Sequence, residues 1–308
     1  MDISVVLCTY NNAERLRITL QSFCQLNELE ELDWELVTVD NNSTDNTETV
    51  IKSFDDRLPI RYVYEREQGL SRARNAGLDV AEGELIVFTD DDVKPHPDWL
   101  VAYWGAYLEC RGSCYFGGPI VSEFEGEAPK DDLLKVAMPS VAGLDHGETA
   151  REISSPYDFV GANWACPKRH LRKAGSFNQS IGLNADDEGI SVGEESDMMH
   201  RLQGCGLRGW YVPEAKIRHY VPAEKCTTDH IIERRSANIK ELYASGVRVP
   251  STLMGVPIGL YKEAARYLAT WLTKWALQSG WRGDYVEWRL WVKRIWAYHQ
   301  ARKGKISE

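Results

Sequence analysis

Three consecutive carboxylates, Asp90, Asp91 and Asp92, close a run of apolar and β-branched residues at 85–89 (LIVFT). The run reads as a short, fully buried strand. Three like charges at the end of such a strand repel one another and resist burial unless a cation neutralises them. Side chains alternate along an extended segment, so Asp90 and Asp92 are expected on one side and Asp91 on the other. Two carboxylates converging at the carboxyl end of a buried strand suit a hard divalent ion, Mg²⁺ or Mn²⁺, which usually takes further ligands from a phosphate. The plainer alternative is a solvated acidic turn in which Asp92 caps the Pro-rich helix start that follows.

The elements that must hold this cluster follow from the apolar pattern. Residues 3–8 (ISVVLC) read as a buried strand followed by the polar turn Thr9-Tyr10-Asn11-Asn12. A helix then presents Leu16, Leu20, Phe23 and Cys24 on one face. Residues 34–39 (WELVTV) form a second strand ending in Asp40-Asn41-Asn42-Ser43, with Ser43 as N-cap of the next helix. A third strand at 60–64 and a helix at 69–82 precede the LIVFT strand. Strand and helix alternate with short links, which predicts an α/β fold: a mostly parallel sheet with helices on both faces. In such sheets ligands bind beyond the carboxyl ends of the strands, where Thr9-Tyr10, Asp40 and Asp90–Asp92 all fall. No G-x-G-x-x-G and no G-x-x-x-x-G-K-[ST] is present, which argues against a dinucleotide or P-loop site.

The 308 residues carry a formal net charge of -10, unevenly spread. Residues 261–308 contain ten Lys and Arg against four Asp and Glu, a net of +6, so the remainder carries -16. An acidic body argues against nucleic-acid binding. Seven cysteines lie scattered without a C-x-x-C pair, and Cys8 and Cys24 are expected to be reduced core residues. A strand begins within three residues of Met1 and no 18-residue apolar run occurs, so neither a signal peptide nor a transmembrane helix is expected. A cytoplasmic location follows, with a peripheral place on the inner membrane face as its variant.

The segments VVLCTYNN, VDNNSTDNT, GLSRARNAGLDVAEGELIVFTDDDV, GANWACPKRHLRKAGSF and GEESDMMHRL, in this order, resemble the successive motifs of family 2 glycosyltransferases of the GT-A fold. The resemblance covers roughly residues 1–235 and implies transfer of a sugar from a nucleotide-diphosphate donor with inversion at the anomeric carbon. It implies a catalytic domain over 1–235, with a nucleotide-sugar half at 1–122 and an acceptor half at 123–235, and a helical extension at 236–308.

By the same resemblance, Thr9, Tyr10 and Asn11 hold the nucleotide base, Tyr10 by stacking. Asp40 accepts a hydrogen bond from uracil, a task suited to an acceptor-only group, which makes UDP the expected nucleotide. Asn42 contacts the base or caps the helix. Arg74 lies near the base and diphosphate, where a planar fork of donors suits oxygen acceptors. Asp90 lies near ribose and metal, Asp91 counts among the donor-binding residues, and Asp92 binds the metal with His219 as a further ligand. Asn163 and Trp164 stand beside the acceptor, Trp164 offering a face for a sugar ring, with a core position for Trp164 as the equal alternative. The family commonly has Glu-Asp where this chain has Glu194-Glu195, so Glu195 takes the place of the general base, with Asp197 and Glu194 as competitors. Arg234 and Arg235 fall where a segment closes over the diphosphate.

Residues 260–308 match no family motif. Two apolar, Trp-rich helical stripes run there, with Leu260, Ala264, Tyr267, Leu268, Trp271 and Trp275 in one and Trp288, Trp291, Val292, Ile295 and Trp296 in the other. They read either as helices packed on the domain or as an interfacial surface, since Trp with Lys and Arg suits bilayer headgroups. The expected partners are the nucleotide sugar and a glycan or lipid-linked acceptor in cell-surface polysaccharide synthesis. The rivals are a sugar nucleotidyltransferase, whose Gly-rich basic loop TYNNAERL lacks, and a non-catalytic glycan- or membrane-binding domain.

Overall fold

In the computed structural model of this chain, β1 (Ile3–Thr9) is buried along its whole length, as a central strand covered on both faces must be. The described structure comprises all residues except 28–31, 111, 154–158, 182–192, 237–251, 254–255 and 305–308. The first half alternates as expected: β1, α1 (Ala13–Phe23), β2 (Trp34–Asp40), α2 (Thr47–Lys52), β3 (Ile60–Tyr64), α3 (Leu70–Val80) and β4 (Leu85–Asp90). There follow β5 (Val93–Pro95), α4 (Trp99–Glu109), β6 (Cys114–Gly117), β7 (Ile120–Phe124), α5 (Asp131–Leu134), α6 (Pro139–Ala142) and β8 (Arg151–Ile153). Then come β9 (Asn163–Pro167), α7 (Lys168–Ala174), α8 (Glu194–Gly204), β10 (Arg208–Tyr211), β11 (Ile217–Val221) and α9 (Thr228–Ser236). Two long helices, Ile258–Ala276 and Arg282–Gly304, make up the tail.

Among the described residues, eight strands form one mixed sheet in the order β3-β2-β1-β4-β9-β6-β10-β8. The four strands β3, β2, β1 and β4 run parallel, so Thr9, Asp40 and Asp90 reach the same edge. Helix α1 presents Leu16, Leu20 and Phe23 to the core, each at most 1% exposed, and burying each contributes about 1.5–3 kcal/mol relative to exposure. Helix α3 sits close on the other face. A Cβ at Gly77 would lie 2.5 Å from Val6 Cγ1, so only glycine permits that approach.

Several sequence expectations are corrected here. The run at 115–121 (YFGGPIV), which reads as one strand from its apolar residues, divides into β6 and β7, which belong to different sheets. The break falls at Gly118-Pro119, where a Cβ on Gly118 would meet Ala215 O at 1.9 Å and proline offers no N–H to a ladder. Ser43 does not cap α2. Asn46 holds the N-cap position without a side-chain cap bond, and Asp45 Oδ1 accepts from the Thr47 N–H at 3.1 Å. Cys24, at the end of α1, is exposed, whereas Cys8 is buried and its thiol is pushed up to about 12 by burial.

The chain divides into two compact units: 1–123 with 143–220, and 124–142 with 221–308. This grouping cuts the chain differently from the expected division at 235/236, because helix Arg282–Gly304 shares a core with earlier segments. Leu133, Ile231, Ile232, Val286, Leu290 and Ala297 form that core. Helix Ile258–Ala276 buries only Ala264 fully and joins its neighbour through stacking of Trp271 on Trp288, 5.0 Å apart and 13° from parallel. Leu272, Trp275, Leu277, Val292 and Trp296 remain exposed. No described helix is long and apolar enough to cross a membrane.

Candidate active site

The carboxyl ends of β1, β2 and β4 place three polar groups along one edge, and each carboxylate of the DDD run meets different neighbours. Asp91 turns toward the first strand and helix: Thr9 Oγ1 donates to Asp91 Oδ2 at 2.6 Å and Asn12 Nδ2 to Oδ1 at 2.8 Å. Burial and the charge of Asp92 push the Asp91 carboxyl up to about 7, although both hydrogen bonds oppose this. Asp90 faces Arg74, with Oδ1 3.7 Å from Nη2. Burial raises its pKa while Arg74 lowers it. Asp92 faces β11, where His219 Nε2 lies 3.4 Å from Asp92 Oδ1. Pairing of His219 with Val93 and a hydrogen bond from Tyr220 N to Asp92 O at 2.9 Å set that juxtaposition. β4 ends at Asp90 and the chain turns before β5, yet Asp90 still feels the charges of both Asp92 and His219.

Asp92 Oδ1, which His219 Nε2 faces, is buried without a hydrogen-bond partner, and so is the far ring nitrogen, Nδ1. A carboxylate oxygen facing an imidazole without hydrogen bonds is a donor set suited to a divalent ion such as Mn²⁺. Among the described residues, no three His, Cys, Asp or Glu side chains gather to hold a metal by themselves. Mg²⁺ and Mn²⁺ sites commonly use one or two protein groups and complete the shell with substrate phosphate and water, so the pair fits.

Asp40 is buried at the end of β2. Its Oδ1 accepts from Ser43 N at 2.9 Å and its Oδ2 from Tyr62 Oη at 3.2 Å. With Ser43, Asp45, Glu48, Tyr62 and Tyr64 it lines a cleft of about 400 Å³. Asn42 Oδ1 accepts from Tyr64 Oη at 2.6 Å, and Asn42 adopts a left-handed backbone with φ 66°. Tyr10 is exposed at the turn beyond β1. Asn11 Oδ1 is taken by Thr44 N at 2.7 Å.

Helix α8 begins with Glu194, Glu195 and, one turn on, Asp197. Arg74 Nη1 donates to Glu194 Oε1 at 2.5 Å, with Arg74 2% and Glu194 4% exposed. Burial lowers the Arg74 pKa, but Glu194, Asp90 and Glu195 more than offset it, so the guanidinium stays charged. Asp197 pairs with Arg201 one turn along, Nη2 to Oδ2 at 2.8 Å. Glu195 is half-buried. Burial and the Glu194 charge push its carboxyl up to about 7 against the pull of Arg74. A carboxylate with that proton affinity is matched to accepting a proton near neutrality.

Residues 4–130 match the family model described as Glycosyl transferase family 2. The chain carries a family 2 glycosyltransferase domain. It is 35% identical to the chondroitin synthase of Escherichia coli over 252 residues, 72% of this chain and 35% of that one. It is 36% identical to the validoxylamine A glucosyltransferase of Streptomyces hygroscopicus subsp. jinggangensis over 231 residues, 67% of this chain and 52% of that one. This chain thus spans about half or less of these relatives' length. Among solved structures, the mannosyltransferase PcManGT of Pyrobaculum calidifontis, in complex with GDP-Man and Mn²⁺, superposes with a TM-score of 0.57 at 20% identity. The match covers 99% of this chain and 74% of that one, which supports the GT-A fold.

For this glycosyltransferase domain the structure corrects several expected roles. Trp164 offers no face to a sugar: it is 0% exposed and stacks on Phe88 at 4.7 Å. Asn163 is equally internal. Its Oδ1 accepts from Trp99 Nε1 (2.9 Å) and Tyr103 Oη (2.7 Å), and its Nδ2 donates to Pro119 O (3.0 Å) and Ala215 O (2.8 Å). Both lie on β9, which is flanked by β4 and β6 and covered on both faces. Thr9 and Asp91 hold each other, Glu194 holds Arg74, and Arg235 is paired with Glu287 at 2.5 Å. Arg74, being buried, presents no free fork to a diphosphate. The sequence reading also missed Asn12, Tyr62 and Tyr64. The period-2 pattern of residues 60–64 could have shown the tyrosines sharing one strand face beside Asp40.

Proposed function

We propose that this domain transfers a sugar from a nucleotide-diphosphate donor, a UDP-sugar, to a hydroxyl of a glycan or lipid-linked acceptor, with inversion and with Mn²⁺ or Mg²⁺. The observation that carries the reading is Glu195: a half-buried carboxylate with a pKa near 7, at the start of a helix whose neighbouring acids are already paired. When bound, the divalent ion would neutralise the diphosphate leaving group, and Asp92 with His219, beside Asp90, would hold it. Above pH 7 Glu195 is ionised and accepts the proton of the acceptor hydroxyl. The freed oxygen attacks the anomeric carbon from the face opposite the diphosphate, whose bond to that carbon breaks. Asp40, between Tyr62 and Tyr64 in its cleft, supports recognition of a base with an acidic N–H, and Tyr10 at the adjoining turn supports stacking.

The exposed Leu272, Trp275, Leu277, Val292 and Trp296 of the basic tail support a peripheral contact with anionic lipid. A thermal-shift panel of UDP-, GDP-, dTDP- and CMP-sugars with and without Mn²⁺ tests the donor assignment. The matching donor at ~100 times its dissociation constant stabilises by about 2.7 kcal/mol. A panel in which no nucleotide sugar raises Tm with Mn²⁺ present contradicts the reading.

A further inference from the structure

Arg74 and Glu194 lie 120 residues apart in sequence, yet form a buried ion pair. Arg74 rises from α3, which packs on β1 and β2, and Glu194 is the first residue of α8. The far end of α8 is anchored by its core residues Met198, Met199 and Leu202 and by Arg201, whose Nη1 donates to Ala174 O at 2.6 Å. Among the described residues, the near end has no side-chain cap. Gly193 precedes it with φ 107°. Arg74 bonds Glu194 at that end.

The pocket around the guanidinium is shaped to keep it in place. A Cβ on Gly161 would lie 2.5 Å from Arg74 Nη2. Gly161 has no positive φ that would otherwise demand glycine. The missing side chain is therefore space that the guanidinium fills. Phe177 closes another side, with its ring centroid 5.8 Å from Arg74 Cζ, and Asp90 Oδ1 stands 3.7 Å from Nη2. One planar cation thus bonds the start of α8 and stands beside the carboxylate that ends β4.

We infer that Arg74, seated over Gly161 and bonded to Glu194, is a positioning device that fixes the direction of Glu195 relative to the end of β4. This inference rests on the glycosyl-transfer reading of the site. Buried ion pairs contribute little net stability compared with apolar side chains of the same volume, and are better understood as fixing a unique arrangement. Here the arrangement fixed is that of the residue next to Glu194 in the chain. Neither Arg74 nor Glu194 touches substrate in this account. They act through Glu195, and a misplacement of about 1 Å at a reacting group can cost on the order of 10²-fold in rate.

Three substitutions separate the possibilities. Gly161→Ala leaves every charge in place and displaces only the guanidinium. Glu194→Gln keeps the shape and removes the charge. Arg74→Lys keeps the charge and removes the fork. For each, and for the double variant Arg74→Lys with Glu194→Gln, unfolding stability, donor dissociation constant and kcat are measured on the full chain. The expected result is a loss of kcat of about ten- to a hundredfold in Gly161→Ala and Glu194→Gln. Donor affinity should stay within about twofold, and the double variant should lose no more kcat than the worse single one. Unchanged kcat in folded Gly161→Ala and Glu194→Gln overturns the inference. So does a loss confined to donor affinity, which would make the pair part of the donor site. If wild-type protein turns over no sugar nucleotide while the double-variant cycle still shows coupling in stability, the glycosyl-transfer reading is what fails, and the positioning role falls with it.

Discussion

Two acidic triplets stand in this site, Asp90-Asp91-Asp92 at a strand end and Glu194-Glu195-x-Asp197 at a helix start, and their composition is nearly the same. They differ in which carboxylate has no hydrogen-bond partner among the described residues. At the strand end, Asp91 is held by Thr9 and Asn12 and Asp90 faces Arg74, which leaves Asp92 Oδ1, without a hydrogen bond, facing His219. At the helix start, Glu194 is held by Arg74 and Asp197 by Arg201, which leaves Glu195. Backbone geometry makes the selection. A strand end that turns sends successive side chains to different walls. A helix rotates them by about 100° per residue, so only one of the triplet faces the gap. The two remaining carboxylates suit different tasks: Asp92, beside a buried imidazole, suits a cation, and Glu195, with its raised proton affinity, suits a proton.

The largest test of this contrast is Glu195→Gln, which should lower kcat by about 10²–10⁴ while donor affinity is preserved. Asp197→Asn should cost far less, because Asp197 is already paired along its own helix. The reverse outcome would assign the base to Asp197. Next in size is the pH profile. Ionised Glu195 is the active form, so acceptor kcat/KM should rise with pH and level off above about 7, with roughly a tenth of the plateau at pH 6. A profile flat from pH 5.5 to 8 would contradict it.

A smaller effect separates Asp91 from its neighbours. Its folded pKa is raised, so the stability it contributes is present below its unfolded pKa, about 4, and is lost as pH climbs through about 7. Metal-free protein should therefore melt at lower temperature at pH 8 than at pH 5.5, and Asp91→Asn should flatten that slope. An unaltered slope would move its cause elsewhere. The smallest effect concerns the tail. Full-length protein should co-sediment with anionic vesicles at low salt and less at 0.15 M, where the Debye length is about 8 Å. Replacing Trp275 and Trp296 by Ala should weaken the association. Equal sedimentation with neutral vesicles, or none, would count against the lipid contact.

Much of the fold was legible because its central strands are uninterrupted apolar runs and its helices carry one apolar stripe. Both acidic triplets were legible as motifs. Roles that depend on contacts distant in sequence were not. Nothing local in GANWACP says that β9 lies between β4 and β6, so the sequence left Trp164 open between a sugar face and the core, and the structure puts it and Asn163 in the core. His219 sits within β11, whose buried Ile217, His219 and Val221 alternate with more exposed residues, and it reaches Asp92 only because β11 pairs with the distant β5. Arg74 read as a ligand for the donor because a carboxylate 120 residues away could not be foreseen.

The measurement that tests the account most directly is calorimetric titration of UDP into wild-type protein and Asp92→Asn, each with Mn²⁺ and with a chelator. The account predicts that Mn²⁺ tightens UDP binding to wild type by about tenfold or more, and that Asp92→Asn loses this metal-dependent gain. Equal affinity in all four titrations, or a gain that survives Asp92→Asn, would contradict the assignment of Asp92 and His219 to the cation.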